Sequence, residues 1–505
     1  MLLISRKISL LGVAAFFCGA LITKAEPLSL PNLFSDNMVL QQNATVPIWG
    51  WGEEGATVTV SFRGETATAH VVDGKWMVKL SSLKAGGPNT MTVTSGSVTK
   101  KINNVLVGEV WLASGQSNME FPLSKAFGAE ADIMKSANPM IHLLHVPHAR
   151  LDSPTNDIGA TWTDCDSETV PGFSAVEYYF AQDLQKALHV PVGVIESSWG
   201  GTPIEAWMEH DFLKASPKYR DEVYGEWVVA QDQYEHALAD YNALKKAAKE
   251  KGEAFKKREP RQPWKPATLY NGMIAPLVGY GMKGALWYQG ESNAGSQEDA
   301  WQYHSLFPDM IRNWRSLWGE GEFPFLAVQL APFMDIKPQP SESSWASVRE
   351  AQFKATQSLP NVGIAVITDL GEEHNIHPTH KAPVGYRLAL AALGIAYHEP
   401  VEYSGPVLKH MTLEPNQIVL TFDHVAGGLE AHGPELTGFA VCGSDGKYVW
   451  ANAEIKGKDK VLVHSIAVPH PKNVRFGWAN YPVVNLWNKA GLPATPFRTD
   501  DEDLE

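Results

Sequence analysis

From Thr57 to Phe62 the chain alternates, with Val58, Val60 and Phe62 set against Thr57, Thr59 and Ser61. A period of two marks a strand with one buried face. Asp73-Gly74 reads as a hairpin turn, and beyond it Trp76, Val78 and Leu80 alternate again, followed by Met91 and Val93. These signals predict a β-sandwich-like domain over residues 26–104. From about residue 105 the period changes. Short apolar runs (107–112, 141–146, 192–195, 284–288, 325–330, 362–368) alternate with amphipathic helical stretches near 174–188, 303–318, 344–357 and 381–397. Strand–helix alternation predicts an α/β unit over 105–399, a flavodoxin-like parallel sheet with helices on both faces. From 400 to 499 alternation at period two returns in Ile418, Leu420 and Phe422 and in Val461 and Val463, a C-terminal β-rich region.

One stretch breaks the α/β rhythm. Over about 211–262, Tyr219, Val223, Trp227, Ala230, Tyr234, Leu238, Tyr241 and Leu244 step by three or four in a charged, finally basic segment. This predicts a helical insertion that lays one apolar stripe on the domain. At the other end of the chain, residues 500–505 form an acidic tail expected to be disordered.

Composition narrows the class. A chain of 505 residues exceeds what one core organises. Arg6 and Lys7, the apolar run Ile8–Ile22 and Thr23-Lys24-Ala25 read as a signal peptide over residues 1–25. The protein is therefore expected to be exported, to a periplasm or the extracellular space. No later run is long enough for a membrane span. Removing the leader's three cations changes the formal charge from −14 to −14 − 3 = −17. That sign argues against nucleic acid and anionic membrane as partners. Cys165 and Cys442, in different regions, read as free buried thiols. The sequence has no Cys pairs, HExxH or calcium loop, so no metal or cofactor is expected.

Ligands of open parallel sheets bind beyond the carboxyl ends of the strands. Four predicted strand ends carry polar or glycine clusters: Gly115-Gln116-Ser117-Asn118, Ser197-Ser198-Trp199-Gly200-Gly201, Gln289-Gly290-Glu291-Ser292-Asn293, and Asp369 with the loop through His374, His377 and His380. A serine on such a corner needs a base to accept its proton, and the loop offers three histidines, of which His377 stands just before Pro378 and a helix. An acyl transfer also needs oxyanion donors. The N–H groups of Ser117 and Gly200 and the amide of Gln289 or Asn293 are candidates.

The motifs GQSNM (Gly115–Met119), SSWGGTPIEAW (Ser197–Trp207), WYQGESNA (Trp287–Ala294) and IHPTHK (Ile376–Lys381) resemble the sialate O-acetylesterase family, a branch of the SGNH (GDSL-like) hydrolases. NLFSDNMVLQQ (Asn32–Gln42) and GLPATPFRTD (Gly491–Asp500) resemble its two ends, so the likeness spans nearly the whole mature chain. It implies an SGNH-type core with accessory β regions, and metal-free hydrolysis of sugar acetyl esters through an acetyl-serine. Ser117 would be the nucleophile, His377 the base, Gly200 an oxyanion donor, and Gln289 or Asn293 a further one. Many SGNH enzymes carry Asp three residues before the catalytic histidine, and here that position is His374. Glu291 is the preferred replacement, Asp369 the alternative, and a Ser–His dyad remains open. The implied substrate is an acetylated glycan, foremost an O-acetylated sialoside. Acetylated xylan is the alternative within the fold, and a non-catalytic glycan-binding protein the alternative outside it.

Overall fold

A computed structural model describes residues 28–500. The expected signal peptide and residues 501–505 of the tail lie outside them. The central strands are β1 (Val98–Gly115), β2 (Asn138–His145), β3 (Thr163–Cys165), β4 (Val192–Ser198), β5 (Gly284–Tyr288), β6 (Phe325–Val328) and β7 (Val362–Ala365). They lie in the order β3-β2-β4-β1-β5-β6-β7. All neighbours from β2 to β7 run parallel, whereas β3 pairs antiparallel to β2. The sheet is therefore mixed, not wholly parallel as the alternation predicts. Thr-Asp-Cys is too short and too polar to announce an edge strand.

The order reverses at β1, whose neighbours β4 and β5 both come later in the chain. Such a switch point opens a crevice at the carboxyl ends of the strands. The registers set its floor. Ser198 of β4 and Tyr288 of β5 both stand opposite Gly115 of β1. The residues that follow these three strands therefore emerge at one level.

The long helices are α1 (Ala175–Leu188), α2 (Gly225–Lys251), α3 (Gln297–Trp318), α4 (Ser344–Ser358) and α5 (Ala382–Ile395). Serine caps start three of them: Ser174, Ser296 and Ser343 accept from the N–H three residues on. Alternation along β1 divides the core between the two faces. Val110 and Leu112 point into the layer with Leu306 and Met310 of α3 and Val348 of α4. Trp111 and Ala113 point into the other, with Val176 and Phe180 of α1 and Leu388 of α5.

β1 is unusually long because its first half belongs to another layer. Gly86–Ser95 pairs antiparallel with it, and Val39–Gln41 parallel. A three-stranded sheet of Leu28–Ser29, Val46–Gly52 and Lys75–Leu80 packs over this extension, with Val58, Val60, Phe62, Trp76, Val78 and Leu80 buried. The expected boundary at 104/105 falls inside β1. C-terminal strands form a separate apolar cluster around Ile418, Leu420, Phe439, Val461 and Phe476. Arg349 of α4 joins this region to the core: fully buried, it donates to the carbonyls of Leu330 (2.7 Å), Ala479 (2.7 Å) and Asn480 (2.8 Å). Burial pulls its guanidinium down to about 9.

Two expectations need adjustment. The insertion is helical and lays the start of its stripe on the core, with Tyr219 and Val223 buried and Trp227 packed against the same cluster, but no residue of α2 is fully buried. Its stripe is covered partly by the returning chain, with Tyr241 against Phe255 at 5.2 Å, and Leu244 stays 45% exposed. The acidic tail is ordered at its first residue, since Asp500 accepts from Arg475 Nη2 at 2.6 Å. Cys165 and Cys442 are free and buried, and burial pushes the Cys165 thiol up to about 12. Among the described residues no helix is long and apolar enough to cross a membrane.

Candidate active site

β1 ends at Gly115, with φ +138°. A Cβ here would lie 2.2 Å from the Tyr288 carbonyl oxygen, so only glycine lets β1 pass so close to β5. Gln116 N–H donates to that same oxygen at 3.0 Å, and the chain turns into the short helix Ser117–Glu120. Ser117 is its first residue, where backbone N–H groups have no intrahelical acceptor.

Ser117 Oγ lies 2.8 Å from His377 Nε2. The loop carrying His377 is fixed by side chains: Asn375 Oδ1 accepts from His377 N–H (3.1 Å), while its Nδ2 donates to His377 C=O (2.9 Å) and to Glu372 (3.0 Å). Burial holds the imidazole below its ordinary pKa, and the cations Lys381 and Lys125 push the same way. The neutral ring this favours can accept a proton at Nε2. The other two histidines do not reach the serine. His374 faces Asp335, and His380 stacks on Phe127 at 4.3 Å.

Neither carboxylate expected behind His377, Glu291 or Asp369, hydrogen-bonds to it. Asp369 is held by both terminal nitrogens of Arg387, at 2.6 and 2.8 Å. Glu291 accepts from Asn118 Nδ2 at 2.5 Å through Oε1, and its Oε2 is buried without a hydrogen-bond partner. Asn118 also donates to the carbonyl of Ile376 (3.0 Å), the peptide just before His377, and its Oδ1 accepts from Lys381 Nζ (2.6 Å). Asn118, Glu291 and Lys381 are all buried. Burial pulls the Lys381 ammonium down to about 7 and raises Glu291, each opposed by the other's charge. Among the described residues, no carboxylate bonds to His377.

On the opposite side, Gly200 abuts the serine: a Cβ on Gly200 would lie 3.1 Å from Ser117 Cβ. Its N–H is engaged, donating to Glu120 Oε2 at 2.6 Å. Glu120 Oε1 lies 3.2 Å from His148 Nε2, which is also 3.2 Å from the Ser198 carbonyl. The two amides expected as oxyanion donors have other partners in this structure. Gln289 Nε2 donates to Thr202 C=O (3.1 Å) and Asn293 Oδ1 (2.7 Å). Asn293 accepts from Ile204 N–H (3.0 Å) and donates to Glu205 (3.2 Å). Both amides tie the Gly200–Gly201 loop to the β5 loop, and neither bonds to Ser117 or Gly200. Reading the sequence alone left Asn118, Lys381, Glu120 and His148 without roles. The first two sit inside quoted motifs and Glu120 beside one, but nothing distinguishes His148 in the chain.

One group among the described residues could gather ligand atoms around a metal: the exposed Asp335 and His374 with the half-buried Glu373. It shares no hydrogen bond with Ser117 or His377, and no step is derived from it.

A serine–imidazole pair at the switch point of an open sheet, with a glycine N–H beside it, has the parts of an acyl-transfer hydrolase. The comparisons bear on that class. The family described as carbohydrate esterase, sialic acid-specific acetylesterase, matches residues 257–394. A solved structure of a carbohydrate acetylesterase from Xanthomonas citri superposes with a TM-score of 0.81 at 36% identity, covering 94% of this chain and 99% of that one. Sialate O-acetylesterase of Homo sapiens is 30% identical over 92% of this chain and 91% of its own length. The Rattus norvegicus enzyme is 31% identical over 92% and 93%. The chain belongs to the sialate O-acetylesterase family, and with it to the carboxylic ester hydrolases.

Proposed function

We propose that this chain is an exported serine esterase that removes O-acetyl groups from glycans, sialic acid O-acetyl esters foremost, through an acetyl-serine intermediate. The observation that carries the reading is the 2.8 Å contact between Ser117 Oγ and His377 Nε2 beside Gly200. His377 takes the Ser117 proton as Oγ attacks the acetyl carbonyl carbon. The carbonyl oxygen, now negative, is met by the N–H groups of Gly200 and Ser117 once Glu120 has moved off the former. Collapse breaks the bond to the sugar oxygen, which leaves with the proton from His377 as a free hydroxyl. Water then attacks the acetyl-serine with His377 again as base, releasing acetate and restoring Ser117.

The imidazole works here as half of a Ser–His dyad. Orientation, the usual task of a third carboxylate, comes from Asn375 and Glu372 within the loop and from Asn118 behind it. Glu291 is a positioning residue that acts through Asn118. Replacing Ser117 with Ala is expected to lower acetate release from acetylated sugars by a factor on the order of 10⁴ or more. A purified S117A protein working at the wild-type rate ends this reading. The same core serves acetylated xylan equally well, since the pair acts on the acetyl group. Comparing kcat/KM on 9-O-acetylated sialic acid and on acetylated xylo-oligosaccharides decides between the sugars. Export predicts a mature N-terminus at Glu26, checked by N-terminal sequencing.

A further inference from the structure

Beside Gly200 the site has an aromatic wall. Trp199, the preceding residue, is stacked on His148 with ring centroids 4.1 Å apart and planes 4° from parallel. Trp264 meets Trp199 edge-on at 5.2 Å, and its indole N–H donates to the Gly201 carbonyl at 2.8 Å. The Arg150 guanidinium lies over the Trp264 ring, 4.8 Å from its centroid. Both tryptophans and Arg150 are half-buried, neither sealed in the core nor loose in solvent.

Arg150 makes no ion pair among the described residues, and Asp152 acts on its charge only from beyond contact. The one hydrogen bond of Arg150 is from Nη2 to the Pro263 carbonyl at 2.5 Å, and no carboxylate lies within ion-pair distance among the described residues. The nearby Asp152 is already taken, accepting from Lys265 Nζ at 2.6 Å. A guanidinium presents five donors in a planar fork that matches a carboxylate, so most of its donors here are uncommitted. On the outer side Lys265 lies over the Trp227 ring of α2, 5.7 Å from its centroid.

We propose that Arg150, laid on Trp264, is the specificity-determining residue that receives the carboxylate of an acidic sugar while its acetyl ester lies at Ser117, with Trp199 and Trp264 against the sugar between them. This rests on the esterase reading above. One ring-to-ring step of 5.2 Å and one ring-to-cation step of 4.8 Å lead from the tryptophan beside Gly200 to Arg150. That span suits a substrate whose ester and carboxylate stand at opposite ends of one sugar, as in a nine-carbon acid acetylated on its tail.

The test compares acetate release from 9-O-acetylated sialic acid and from its C1 carboxamide, which differ only in the anion. The wild type is expected to favour the acid. In Arg150→Met, which keeps an apolar stem on Trp264, the acid-to-amide ratio of kcat/KM should fall roughly 10- to 100-fold, the range of a charge-assisted hydrogen bond. The fall should appear mainly in KM, and Arg150→Lys should restore part of the preference. A wild type with no preference, or a ratio unchanged in R150M, overturns the proposal. A wild type that releases acetate from neither, but does so from acetylated xylo-oligosaccharides, overturns the proposal and leaves the esterase reading standing, whereas release from none of the three overturns both.

Discussion

Each side of the Ser117–His377 pair holds a glutamate that accepts one short hydrogen bond. Behind the pair, Glu291 takes the Asn118 amide in a sealed cluster with Lys381. In front, Glu120 takes the Gly200 N–H, with its side chain still one-third exposed. The chemical group is the same, but the surroundings differ. A buried carboxylate cannot leave its donor without stranding a charge, whereas a half-solvated one exchanges its donor for water at little cost. The rear glutamate is therefore a fixture, and the front one occupies a place that substrate can claim.

The contrast is tested hardest at the rear. Asn118→Ala removes the link among the serine's own helix, the Ile376 peptide and Glu291, and leaves Lys381 without its acceptor. A misplacement of about 1 Å between reacting groups costs on the order of 10²-fold in rate. We expect kcat to fall by about that factor with KM little changed. Stranding the buried charges should cost about 3–5 kcal/mol in chemical denaturation. Full kcat in a folded N118A protein would mean that the rear cluster is packing alone.

How much of this was legible in the chain follows from what each signal encodes. An apolar run stopped by Ala113-Ser114-Gly115 announces β1 and its corner, because no other residue type tolerates that approach to Tyr288. Strand ends marked by Ser117, Gly200 and the His377 loop place those residues on one rim whatever the details. The edge strand Thr163–Cys165 carries no period, and its partner is known only in three dimensions. For α2, periodicity identifies the apolar face but not what covers it, and part of the cover is the insertion's own return through Phe255. The side-chain assignments were least legible. Asn118 meets Glu291 across 173 residues, and Gly200 meets Glu120 across 80. An amide that holds a loop and one that holds an oxyanion look alike in sequence, so the chain alone could not show that Gln289 and Asn293 bond to each other and across to Thr202 and Glu205.

A smaller effect is expected in the pH profile. Burial first, then the charges of Lys381 and Lys125, keep the His377 pKa below its ordinary value. The acid limb of kcat/KM, where the base becomes protonated, should therefore lie below the usual histidine range. Lys381, pulled down to about 7, is protonated over that limb, so its charge acts there in full. Lys381→Met removes one depressing charge, and the limb should move up toward the ordinary value. Activity near pH 5–6 then falls several-fold relative to pH 8. Lys125→Met should shift the limb the same way without disturbing the rear cluster. An acid limb that does not move in either variant would detach His377 from both cations.

The smallest change belongs to the front. As long as Glu120 sits on the Gly200 N–H, that donor is closed to an oxyanion, and a negative carboxylate beside a developing negative oxygen raises the barrier further. Substrate must displace it, and His148, 3.2 Å from the other carboxylate oxygen, gives Glu120 somewhere to remain. Glu120→Gln keeps the size and an acceptor oxygen but removes the charge, so the amide holds Gly200 less firmly. We expect kcat/KM to rise about 3- to 10-fold, a gain of roughly 1 kcal/mol in transition-state stabilisation, while the acid limb stays set by His377. A fall instead of a rise would mean that Glu120 braces Gly200 and His148 through the reaction. The front glutamate would then be as much a fixture as the rear one, and the Gly200 N–H would have to be struck from the oxyanion donors.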